Sequence, residues 1–174
     1  MYTYDHSSEK DFKRNAILKK RPKGIIIFDT FNNEWFPLEA VEIDTNMYNL
    51  RVLKDEFHRI YGGSAIEDLF MPWHYTVEFI GKSYNVSSTR PIMYKSLIPG
   101  YEEYISVCIV GNSNKDMYTK ELYKVIAATC LNSLHYIPGW RLNPDGNTQY
   151  LNLGKNFKVN QLEGLFRWLV NLKK

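Results

Sequence analysis

Few residues of this chain combine the type and the spacing that chemistry demands. Its four histidines, His6, His58, His74 and His135, never occur as a close pair, whereas helical zinc motifs set two of them one turn apart. Cys108 and Cys130 lie in apolar runs without metal-ligand spacing, which predicts two buried thiols in a reducing compartment. There is no glycine-rich phosphate loop, no HExxH and no CxxC, and Gly62-Gly63-Ser64 is not a GxSxG elbow. Asn85-Val86-Ser87 matches the N-glycosylation triplet, a pattern that chance often supplies and that no secretion signal supports. Asp29 closes an apolar run, and one carboxylate does not make a metal site.

The elements that must position these residues follow from composition and periodicity. A chain of 174 residues is about one domain, long enough to fold without a disulfide or a metal. Hydrophobic residues at 44% and charged residues at 24% exclude a disordered chain and a coiled coil. No apolar run approaches the ~20 residues of a membrane span, and the start MYTYDHSSEKDFKRN has no h-region, so no signal peptide is expected. A formal net charge of +3 argues against dependence on a nucleic-acid backbone. The cations are clustered, however. Lys10, Lys13, Arg14, Lys19, Lys20, Arg21 and Lys23 face a single Asp between residues 10 and 23, either as a solvated leader or as an arm that grips an anionic surface.

Gly24 to Thr30 reads as a buried central strand between Pro22 and Asn32-Asn33. Leu50, Leu53, Phe57 and Ile60 predict a helix over 46–61. HYTVEFI at 74–80, with Tyr75, Val77 and Phe79 on one side, turns at Gly81-Lys82 and returns as SYNVSS, a hairpin. YISVCIV at 104–110 is a second apolar strand. A helix over 119–134 is expected to be capped by Thr119 and to bury Leu122, Val125, Ile126, Cys130 and Leu134. Residues 138–149 are dense in Pro, Gly and Asn and read as loop. A last helix is predicted to start in a capping box of Asn160 and Glu163 and to bury Leu162, Leu165, Phe166, Leu169 and Val170, with Lys173-Lys174 at its end. The sum is an α/β fold, a mixed central sheet flanked by helices.

Several segments, in order, resemble the N-acetylmuramoyl-L-alanine amidase family, which includes amidase-type phage lysozymes and peptidoglycan recognition proteins. IIIFDT is similar to its strand I-V-I-H-H-T, and WHYTVEFIGKSYNVSSTRP to its hairpin Y-H-F-V-I-(D-x)-D-G-x-I-Y-x-x-R-P. PGYEEYISVCIVGNSNKDMYTKEL, IPGWRLNP and NLGKNF are similar to the later segments G-Y-N-x-x-S-I-G-I-C-L-V-G, I-x-G-H-R-D-x-x-P and D-P-G-x-x-F. The resemblance implies an amidase-like domain over 24–158, with a basic N-terminal arm (1–23) and an added C-terminal amphipathic helix (159–174).

Active members of that family hold one zinc through two His and an Asp or Cys, and the metal activates a water against an amide. Carried over, the three ligand positions fall on Phe28, Trp140 and Asn152. Neighbouring support positions fall on Trp73, Cys108 and Tyr150. Phe and Trp have no lone pair to give, and neutral Asn is a poor zinc ligand, so no cofactor and no hydrolysis are expected. Phe28 and Trp140 are expected to meet, with Trp73 nearby, and to fill the vacated cleft. His74, which matches a family His, is expected to be a satisfied core residue. The resemblance then implies an inactive scaffold or binding module, a structural part of a phage particle (tail, baseplate or neck), found in the virion or in the infected cell's cytoplasm. Its partners would be phage or host proteins, with Lys13, Arg14, Lys19, Lys20, Arg21 and Lys23 as contacts. Peptidoglycan contact is retained, membrane and nucleic acid are not. A regulatory inhibitor, a non-hydrolysing peptidoglycan binder and a misaligned active amidase stay open.

Overall fold

Every residue of Gly24–Asp29 is buried, the signature of a strand covered on both faces and flanked by others. This strand, β1, pairs in parallel on both sides. β4 (Tyr104–Ile109) lies along one edge with Phe28 opposite Cys108. β5 (Thr148–Leu151) lies along the other with Phe28 opposite Leu151. β2 (Tyr75–Ile80) pairs in parallel with β4, and β3 (Ser83–Ser88) folds back on β2 as an antiparallel hairpin. The sheet order is β3-β2-β4-β1-β5. The computed structural model describes residues 20–30, 71–133 and 136–172. The helix expected over 46–61, the cations Lys13, Arg14 and Lys19, and Leu134, Lys173 and Lys174 lie outside them.

Alternation assigns each strand residue to a face. Ile25, Ile27, Val77, Ile105, Val107 and Ile109 share one core with α1 (Lys120–Asn132) and α2 (Val159–Leu172). Leu122, Ile126 and Cys130 come from α1, and Leu162, Phe166 and Val170 from α2. The mixed sheet with helices packed on it is thus as expected, and Cys108 and Cys130 are buried free thiols. Ile26, Phe28, Ser106 and Cys108 take the opposite parity and face away from these helices.

Three local readings need correction. Residues 138–149 are not loop throughout: short 3-10 turns at Pro138–Arg141 and Asp145–Asn147 lead into β5. Thr119 occupies the cap position of α1 but its side chain makes no capping bond. Asn160 is inside α2, whose first carbonyl acceptor is Lys158, bonded by the N–H groups of Gln161 and Leu162. The start of α2 is set by a tertiary contact instead. The Lys158 N–H donates to the Tyr123 hydroxyl of α1 at 2.8 Å, and that hydroxyl donates to the Asn156 carbonyl at 3.4 Å.

The face turned away from α1 and α2 carries a buried polar network. His74 Nδ1 accepts the Ser106 N–H at 3.0 Å, and Nε2 reaches the Tyr94 carbonyl at 2.8 Å. A carbonyl can only accept, so the ring is the neutral Nε2–H tautomer. Burial pulls its pKa down to about 4, against the opposing effect of the Tyr94 carbonyl and with a smaller contribution from Arg90. As pH falls from the ordinary value of 6.5 toward 4, the unfolded chain takes up this proton and the folded chain does not, so stability is lost in that window. The loss is about 3 kcal/mol by the linkage relation. Urea unfolding of the wild type and of His74→Gln between pH 7 and pH 4 checks this: the wild type should lose that much more stability than the variant across the window.

Candidate functional site

The carboxyl ends of β1, β4 and β5 meet at one rim of the sheet, where open parallel sheets commonly place their sites. Asp29 ends β1 there and is fully buried. Its Oδ2 accepts the Ser113 N–H at 2.9 Å and also the Ser113 hydroxyl. That hydroxyl oxygen in turn accepts the Gly154 N–H. One carboxylate therefore ties β1 to the loop after β4 and, through Ser113, to the loop after β5. Charge-assisted bonds of this kind are the stronger class.

The two loops are joined further. Asn156 N–H donates to the Ser113 carbonyl at 2.9 Å, Asn156 Nδ2 to the Asp116 carbonyl at 3.0 Å, and Lys155 N–H to Asn114 Oδ1 at 3.3 Å. Within the first loop, the Asn112 N–H donates to Asp116 Oδ2 at 2.8 Å. The approach is close enough to require glycine: a Cβ on Gly154 would sit 2.5 Å from the Asn114 nitrogen. Asn152, just past β5, has φ 52, the left-handed conformation that Asn tolerates better than most residues.

Among the described residues the rim offers no ready nucleophile. Burial pushes the Cys108 thiol well up, and the Asp29 charge adds to this, so the sulfur stays protonated and unreactive. Burial also raises the Tyr118 hydroxyl, with Asp29 and Asp116 adding. The sequence reading missed the role of Asp29, weighing it only as a lone metal ligand. The available signal was a carboxylate at the end of an apolar strand, followed far along the chain by a turn-forming GNSN segment whose serine can donate to it.

The positions matched to zinc ligands do not converge as expected. Phe28 is fully buried with its ring centroid 5.7 Å from that of Trp73 in an edge-on contact, on the side away from α1 and α2. Trp73 Nε1 donates to Thr76 Oγ1 at 2.6 Å. Trp140 belongs to the core between the sheet and the helices. Its ring lies edge-on to Phe166, 4.9 Å away, and its Nε1 donates to Thr148 Oγ1 at 2.8 Å. The sheet lies between Phe28 and Trp140, so the expected single aromatic filling is replaced by two separate ones. Asn152 is exposed, one residue beyond the Leu151 that pairs with Phe28. Tyr150 is on the helix face, its ring 6.2 Å from that of Phe157, and burial followed by the charge of Glu163 raises its hydroxyl. Side chains without lone pairs on opposite faces of a sheet do not fit a zinc ion. Of the cationic arm, Lys20, Arg21 and Lys23 are exposed, and Lys23 pairs with Glu103 at 2.7 Å, an exposed pair of small energetic worth.

Two outcomes follow. Ser113→Ala should cost about 2 kcal/mol, the range for a bond to a charged group, and should speed hydrogen exchange at the Gly154 amide. An unchanged unfolding curve would deny Ser113 its role. The combined change Phe28→His, Trp140→His and Asn152→Asp should create no zinc site, because the sheet separates the first two. A metal titration showing one tightly held zinc per chain would contradict the placement.

No family model matches this sequence, and no curated protein matches it. Solved structures do. The N-acetylmuramoyl-L-alanine amidase LysC from Clostridium intestinale URNW is 16% identical, with 85% of this chain and 87% of that one covered and a TM-score of 0.54. An endolysine amidase of the same source, LysCS, is 17% identical, with 85% of each chain covered and a TM-score of 0.52. A selenomethionine derivative of AmpD is 14% identical, with 84% and 85% covered and a TM-score of 0.50. At such identities the likeness is one of architecture: this chain has the fold of the N-acetylmuramoyl-L-alanine amidases.

Proposed function

We propose that this protein is a peptidoglycan-related, amidase-type domain that does not hydrolyse its fold relatives' substrate and acts instead as a structural, protein-binding part of a bacteriophage particle. One observation carries the loss of hydrolysis: Phe28, near the end of β1 and at the position matched to the first metal ligand, is buried against the Trp73 ring. Its ring cannot donate electrons to zinc, and without the cation no bound water is acidified. Asn152, one residue past the β5 partner of Phe28, is neutral and a poor zinc ligand. The phage assignment is supported by the resemblance to phage-type amidase segments. Fold alone does not give function, so the reading rests on the site.

Purified protein should hold no stoichiometric zinc after dialysis against the metal and should release no label from dyed peptidoglycan, with an active amidase as control. Zinc bound one to one together with turnover would sink the proposal. Mass spectrometry of purified particles from a producing culture should find the chain as a particle component rather than in the soluble lysate.

A further inference from the structure

The sheet has two edges, and they are treated differently. β5 is four residues long and is reached through the two 3-10 turns. β3 is six residues long, pairs with β2 in unbroken register, and among the described residues has no further strand beyond it. Proteins normally guard such an edge with charge, proline or a bulge. Ser83–Ser88, SYNVSS, has none of these. Val86 within it and Phe79 on β2 are 38% and 53% exposed, and the Phe79 ring packs on Tyr84 with centroids 4.9 Å apart.

We propose that two copies of this chain pair through β3, antiparallel about a two-fold axis, making one continuous sheet. The register follows from the hairpin. Its two-residue turn has Gly81 at φ 64, and in such turns the flanking pair, here Ile80 and Ser83, bonds inward. The amides and carbonyls of Tyr84, Val86 and Ser88 then point outward, and an antiparallel partner must match outward residues with outward residues. Placing the axis at Asn85 sets Tyr84 opposite Val86 of the second copy, twice. Aromatic to β-branched pairs are favourable across strands, and this one covers the exposed Val86. Charge permits the match: the six residues are uncharged, and Lys82 falls opposite Ser88, not opposite another cation. A strand of this length spans ~20 Å. One strand pair is small beside the ~1,600 Å² of a standard specific interface, so the dimer is reversible rather than obligate.

Sedimentation of the full chain over a wide concentration range tests this. The wild type should pass from monomer to dimer, and Val86→Lys should weaken the association at least tenfold with an unchanged far-ultraviolet spectrum. Leu142→Lys, at a residue 90% exposed elsewhere, should leave it intact. Asn85→Cys reads the register independently of any destabilisation by the lysine, because the two axial cysteines should form an intermolecular disulfide under mild oxidation. A chain that stays monomeric at every concentration overturns the proposal. So does a dimer that neither Val86→Lys weakens nor Asn85→Cys traps.

Discussion

A buried carboxylate is costly unless its acceptor capacity is met, and Asp29 is buried at the end of a strand whose other residues are apolar or lack a side chain. Ser113 answers it with both its backbone and its hydroxyl donor. The consequence reaches past the pair. Fixing Ser113 fixes the turn of the 110–119 loop, and the serine oxygen then fixes Gly154. From Gly154 the chain runs through Asn156 to Lys158, where Tyr123 receives it and α2 begins. The packing of Phe166 and Trp140 over the sheet depends on that start, so a polar contact at one rim sets the apolar core on one face.

Strand parity decides what the neighbouring residues can do. Asp29 and Phe28 are adjacent in sequence yet belong to opposite faces. Phe28 looks toward Trp73, and Trp140 looks toward Phe166. Each aromatic contact stabilises its own layer, and burying groups of this size contributes several kcal/mol apiece.

Much of this was legible in the residues, and the gaps have physical causes. β1 and β4 stood out because buried strands are continuous apolar runs. The β2–β3 hairpin was marked by alternation and its Gly-Lys turn. β5 was hidden: its four residues, TQYL, form a strand only because β1 offers a parallel edge far away in sequence, and the preceding turns match loop statistics. The start of α2 was misplaced because Asn160 and Glu163 have capping-box spacing, while Tyr123, a residue of another helix, supplies the partner that wins. Motif matching found Phe28, Trp140 and Asn152 but not their separation, since a linear match carries no information about which face a side chain takes.

That separation bears on how the fold persists with such residues at the matched positions. The end of β1, the β4–α1 loop, the turn after α1 and the segment after β5 are joined by hydrogen bonds. Asp29 and Ser113 connect β1 to the β4–α1 loop, Ser113 and Asn156 connect that loop to the segment after β5, and Trp140 Nε1 connects the 3-10 turn to β5 through Thr148. Each bond is individually modest, about 1 kcal/mol net for neutral partners and more for the carboxylate. They are arranged in series along segments already paired to the sheet, so little chain entropy remains to be lost when they form. The architecture can therefore be held by ordinary hydrogen bonds and aromatic packing, and its retention does not imply the chemistry of the proteins that share it.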